Sequence, residues 1–273
     1  MTEPEHAALE HILRVVESVI GEAAPAPSIP PQTGGTGAAT LAPVVLPVPY
    51  VSQLGPGADQ FASDSGAAAG VMLVRAYTDK TLTPNDFFNQ SGQHADSPLS
   101  FTQIANGMNA NGVPAELRVP LKLADLALIL ASGRPAILLV KQAVLQQAGL
   151  TAETYSGPHY LVAVGLDVKQ VYIHDPLRQD ASGKGQAVSW LTLYQAWTQA
   201  NGYERAALVP RLQLIRRVKV TSASLNIRQG PNVSATQIGT ARQGDTFEVT
   251  VQKDGWGKIG NNRWISLTYV ADI

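Results

Sequence analysis

"DQFASDSGAAAGVMLVRAY", residues 59–77, sets a hydroxyl, Ser65, ahead of a run of small residues that opens into an apolar helix. Taken alone, Asp64-Ser65-Gly66 reads as a helix N-cap, because Asp and Ser side chains accept from the free amides of a first turn. Gly66 and Gly70 count against a helix by about 1 kcal/mol each relative to alanine. Their presence predicts a close backbone approach that seats this helix deep against a sheet. A helix start held there offers N–H groups and partial positive charge to a developing oxyanion. Ser65 is therefore a cap, a nucleophile, or a residue standing where a nucleophile once was.

Working outward, "HYLVAVG" and "KQVYIHD" read as a β-hairpin closed by Leu166-Asp167-Val168. In that register Ala163 faces Val171, Leu161 faces Ile173 and His159 faces Asp175, all on one face of the hairpin. His174 then points to the other face. A slip of one residue would part His159 from Asp175. Twelve residues before Ser65, Gln53 in "VPYVSQ" supplies an amide donor of the type that completes an oxyanion hole.

The segments around these residues set the fold class. Helical patterns lie in "SFTQIANGMNANG" and "LKLADLALILASG". Strand-like "PAILLV", "HYLVAVGL" and "VYIHD" follow, then a late helix in "WLTLYQAWTQANG". Helices first and strands later predict an α+β domain over residues 49–212. From Val218 on, short β-rich runs between Gly and Asn turns predict a small all-β barrel, giving a second domain over 213–273. Residues 1–22 carry apolar positions at helical spacing (Leu9, Ile12, Leu13, Val16, Val19, Ile20) and read as an amphipathic helix suited to weak self-association. Residues 23–48, rich in Pro, Gly and Ala, read as a linker.

Bulk numbers exclude several classes. A net charge of −1 gives no general case for nucleic-acid binding. From Arg211 onward nine Lys/Arg stand against four Asp/Glu, so this tail carries +5 and the rest −6. The tail is thus suited to an anionic surface, or simply to solubility. With no cysteine there are no disulfides or thiolate metal sites. No run approaches the roughly 20 apolar residues of a membrane span, and the acidic start does not read as a secretory signal. The histidines lack zinc spacing and "QTGGTG" lacks a flanking strand and helix, so no metal and no cofactor is expected.

Together, "VPYVSQ", "DSG" opening a small-residue helix, "GPHYLVAVGLD" and "VYIHDP" resemble the C39-like branch of the papain-like peptidases, in family order. The resemblance implies a papain-like fold, with Gln53 in the oxyanion hole, position 65 as nucleophile, His159 as base and Asp175 orienting it. The family has a cysteine where this chain has Ser65, usually followed by Gly-Pro rather than Gly66-Ala67. A serine hydroxyl is far harder to deprotonate than a thiol. Three accounts stand: a natural serine nucleophile, a pseudoenzyme that still binds peptides, or a cysteine replaced by serine. The tail resembles a bacterial SH3 (SH3b) domain through "LNIR" (Leu225–Arg228), Gly230-Pro231, Gly244-Asp245, Gly255-Trp256 and Trp264-Ile265. That resemblance implies a wall-peptide groove with Trp256 and Tyr269 as ligand contacts, and a mainly core role for Trp264. The pair of domains implies a peptidase acting on peptidoglycan or small secreted proteins, secreted or wall-associated. A catalytically silent binding module is the alternative, and an intracellular scaffold the third reading.

Overall fold

The structure, a computed structural model, describes residues 43–58, 65–78, 80–92, 98–151, 155–200, 202–211, 215–260 and 263–273. The expected amphipathic helix over 1–22, most of the 23–48 linker and Asp64 lie outside the described residues. Two hydrophobic cores are present. One draws its residues from Leu46 to Val209, the other from Val218 to Ile265. The α+β class with a β-rich C-terminal domain holds.

In the larger domain the helices are α1 (Ser65–Tyr77), α2 (Pro84–Gln90), α3 (Phe101–Ala110), α4 (Leu123–Ala131), α5 (Gln142–Gln147) and α6 (Trp190–Trp197). The strands are β1 (Val44–Val45), β2 (Ala115–Arg118), β3 (Ala136–Lys141), β4 (Pro158–Leu166), β5 (Gln170–His174), β6 (Gln186–Ser189) and β7 (Ala207–Pro210). They form one antiparallel sheet in the order β2-β7-β3-β4-β5-β6. β1 pairs with the far end of β4, matching Val44 to Leu166 and Val45 to Gly165. The domain thus begins inside the stretch read as linker: Leu46 and Val48 are buried, and a Cβ on Gly165 would sit 2.3 Å from the Val44 carbonyl oxygen.

The first ten residues of α1 are buried, which is why its sequence is so poor in bulk and charge. The close approach at Gly70 is not to the sheet, as its spacing predicts, but to a neighbouring helix. A Cβ there would meet Phe87 Cζ of α2 at 2.3 Å, and one on Gly107 of α3 would meet the same ring atom at 2.7 Å. Phe87 is the wedge that three helices close around. Capping boxes at Thr83 and Ser100 start α2 and α3, each satisfying two amides that helix geometry leaves over.

The hairpin forms, but not in the predicted register. Asp167 Oδ1 accepts from the Lys169 and Gln170 amides, so the turn lies later than Leu166-Asp167-Val168. Leu166 therefore pairs with Val171 and Gly165 with Tyr172. A bulge at Val164 shifts the ladder, and beyond it Ala163 pairs with Ile173 and Val162 with His174. An extra residue in one strand reverses which face the following side chains take. Without it the late turn would place His159 and Asp175 on opposite faces.

The smaller domain is built from β8 (Arg216–Val220), β9 (Ser224–Arg228), β10 (Gln237–Arg242), β11 (Thr246–Val249), β12 (Val251–Lys253), β13 (Trp256–Gly260), β14 (Arg263–Ser266) and β15 (Val270–Asp272). They form sheets β10-β9-β14-β13-β12 and β11-β8-β15. Trp264 is buried and Tyr269 half exposed. The two domains meet at Lys258 of β13. Its Nζ lies 3.4 Å from the Gly133 carbonyl oxygen and 5.6 Å from the centroid of the Tyr77 ring, at the far end of α1 from Ser65. Burial pushes the Lys258 ammonium from 10.5 down to about 8.

Two outcomes follow from this packing. Gly70→Ala forces a methyl into the Phe87 ring and should destabilise the larger domain by about 1–3 kcal/mol, read from urea unfolding. Between pH 8 and 10.5 the unfolded or undocked chain holds a proton at Lys258 that the docked form has lost. Stability should therefore rise with pH across that window and carry its full penalty, about 3 kcal/mol, below it. Lys258→Met should remove that rise and stabilise the chain at pH 7; an unchanged pH slope from 8 to 10.5 would contradict the assignment.

Candidate active site

Four sequence-predicted residues converge where β4 runs past the last rung of β5. His159, the second residue of β4, is 2% exposed, and Asp175, just after β5, is fully buried. Asp175 belongs opposite Leu161 in the observed register, so His159 is its diagonal neighbour on the same face, a spacing long side chains can span. His159 Nε2 lies 2.7 Å from Asp175 Oδ1. The carboxylate accepts there, so Nε2 carries a proton, and in the neutral ring the lone pair is then on Nδ1. Asp175 Oδ1 also accepts from the Leu177 amide at 3.0 Å. Burial pushes the Asp175 carboxyl up, but the hydrogen bond from His159, the Leu177 amide and the neighbouring Gln142 side chain outweigh it and hold the group below the usual carboxylate range.

Ser65 is the first residue of α1 and is buried. Its Oγ accepts from the Tyr160 amide at 3.0 Å. Tyr160 lies two residues past Val162, the last β4 residue paired with β5, so the serine continues the edge of the strand where β5 stops. Among the described residues this is the hydrogen bond Ser65 Oγ makes; none joins it to His159. Gln53 is buried as well, and its main-chain amide donates to the Pro176 carbonyl at 2.8 Å. Tyr50 Oη donates to the Asp175 carbonyl at 2.9 Å. The Gln53 segment is therefore stitched to the turn that carries Asp175, the hydrogen-bond partner of His159.

His174 faces away from this group. Its Nδ1 accepts from the Gly185 amide and its Nε2 donates to the Val48 carbonyl, each at 2.9 Å. Burial holds it below its ordinary value. Both ring nitrogens are in use structurally, so His174 is a strut, whereas His159 Nδ1 makes no hydrogen bond among the described residues.

A family model described as the peptidase C39-like family matches residues 45–204, more than half of the chain. The chain belongs to the C39-like peptidase family. A second model, the bacterial SH3 domain, matches residues 223–271, within the barrel. Among solved structures, the chain is similar to a Bacillus anthracis protein assigned to the C39-like peptidases. Identity there is 17%, over 63% of this chain and 98% of that one, with a TM-score of 0.47. It is also similar to Ly7917 at 14% identity, over 94% of this chain and 91% of that one, with a TM-score of 0.29. Endolysin LysPBC5 CBD matches at 14% identity over 51% of this chain and 92% of its own, with a TM-score of 0.20. No curated protein matches the chain. No described helix of this C39-like protein is long and apolar enough to cross a membrane.

On the SH3b domain, Trp256 and Tyr269 line one groove of about 540 Å³, together with Asn226, Arg228 and Asp254. The sequence reading missed two participants in the peptidase domain. The Tyr160 amide has no side-chain signature. Gln142 had one: a polar residue directly after the apolar run "AILLVK", at a point where the chain is still buried.

Proposed function

We propose that this protein is a peptide-bond hydrolase acting on cell-wall peptides, with the SH3b domain holding the wall. The buried His159–Asp175 pair carries this reading, because it leaves Nδ1 as an unprotonated base beside the start of α1. Asp175 fixes the imidazole orientation. His159 takes the proton from residue 65 as its side-chain atom bonds to the scissile carbonyl carbon. The oxyanion that forms is met by the α1 start amide and the Gln53 side chain, and the helix adds its partial positive charge. The imidazolium then gives its proton to the leaving amine as the C–N bond breaks. Water, deprotonated by His159, releases the acyl group from residue 65. The SH3b groove of Trp256 and Tyr269 would grip a neighbouring wall peptide. Tethering in this way raises the substrate concentration at the peptidase domain without improving the site itself.

One observation favours a second reading, a peptide- or wall-binding module without turnover. Ser65 Oγ accepts from the Tyr160 amide, and among the described residues no hydrogen bond joins it to His159. A serine in that setting works as a structural tie.

Labelling separates the two. The chain as given is treated with a fluorophosphonate, and Ser65→Cys with an epoxide or vinyl-sulfone peptide electrophile, the adduct being located by mass spectrometry. The hydrolase reading expects rapid labelling of residue 65 in Ser65→Cys, lowered about 100-fold by His159→Ala, and slow labelling of the serine form. No adduct on either form overturns it in favour of the binding module. For the barrel, sedimentation of the full chain with purified sacculi should show Kd raised about tenfold by Trp256→Ala or by Tyr269→Ala. Unchanged binding in both variants would remove the groove from wall recognition.

A further inference from the structure

We propose that Gln142 is a positioning residue of this site, its side-chain amide donating to Asp175 Oδ2 so that Oδ1 stays turned to His159. The proposal rests on His159 acting as the base of the site.

Three facts converge. Gln142 follows β3 directly, its amide donating to the Gly157 carbonyl at 3.0 Å. Two residues earlier Val140 pairs with His159. Strand geometry thus brings Gln142 to the end of β3 beside the histidine strand. Second, Gln142 is fully buried, and among the described residues neither its Nε2 nor its Oε1 has a hydrogen-bond partner; Asp175 Oδ2 is also buried and without one among them. A donor and an acceptor left over side by side in an apolar interior are complementary, and burying either alone is unfavourable. Third, Asp175 Oδ1 is doubly engaged, by His159 Nε2 and by the Leu177 amide. Oδ2 is the remaining corner of the carboxylate, and the Gln142 side chain is among the groups that stabilise its charge. In this structure the pair stops short of hydrogen-bond geometry. A rotation of the terminal amide, which can present Nε2 or Oε1 to a neighbour, closes it.

A carboxylate fixed at both oxygens cannot swing its acceptor away from the imidazole. The His159 tautomer is then locked with its proton on Nε2, the form that leaves Nδ1 free to take a proton. Without Gln142 the carboxylate is held at one corner only.

The test reads the tautomer, so it needs no turnover. Long-range 15N–1H correlation spectra of the full chain near pH 7.5 report which His159 nitrogen is protonated, with assignment by His159→Gln. The chain as given should show the Nε2–H form alone; Gln142→Leu should show a mixture with the Nδ1–H form, while unfolding no more easily in urea. In Gln142→Glu the new carboxyl can donate only while it keeps its proton. The single tautomer should therefore persist on the acid side and give way to the mixture as pH rises, a response that packing alone would not produce. Should Gln142→Leu fail to fold, the pH response of Gln142→Glu decides. An Nε2–H form unchanged in the folded variants at all pH values would overturn the proposal. In the Ser65→Cys background, Gln142→Leu should also slow electrophile labelling about tenfold. Loss of labelling in the Ser65→Cys parent would sink the hydrolase reading, yet leave the tautomer result standing.

Discussion

The structure of the larger domain depends on β4. Eight of its nine residues are buried, only Pro158 being exposed. One edge pairs with β3 and then β1, the other with β5. Where β5 ends, the start of α1 takes over through Ser65 and the Tyr160 amide. A strand satisfied along both edges by different partners can hold a functional side chain with little freedom, and His159 sits at the changeover. Its orientation is therefore set by backbone pairing before any side chain of the site contributes.

Burial follows from the same arrangement. With α1 pressed against β4, the polar atoms of the site lie in a medium where an unmatched group is costly. Oδ1 of Asp175 and both nitrogens of His174 respond with full sets of partners. His174, built from the same kind of side chain as His159 and only one residue from Asp175, shows what a structural histidine looks like in this fold. The two differ in one respect that matters chemically: among the described residues, His159 leaves one ring nitrogen unengaged.

Much of this was legible in the sequence, and the failures have physical causes. Apolar periodicity marked α1, α3, α4 and the central strands, and the "DSG", "GPHYLVAVG" and "VYIHDP" stretches pointed to the peptidase family. The short elements do not show: α2, α5, β2, β6 and β7 are held by tertiary packing, with a capping box at α2 alone among them, and have too few residues to show a period. The hairpin register was misread because an Asp167 side chain moved the turn and a bulge at Val164 then changed the phase; neither leaves a reliable trace in composition. The glycine reading had the right effect and the wrong neighbour, since nothing local says that Phe87, seventeen residues later, will fill the space. Ser65 could be seen as a substitution in a motif, but its bond to Tyr160 arises from two segments 95 residues apart.

That bond narrows what position 65 can become. The side chain there must be small, because α1 is buried from its first turn, and an acceptor is useful, because it meets the Tyr160 amide. Alanine is small but brings no acceptor; serine is small and brings one, and cysteine accepts more weakly. Serine at this point therefore serves the packing of the helix and the pairing of the strand at once. Position 65 answers to the fold as well as to any chemistry performed there.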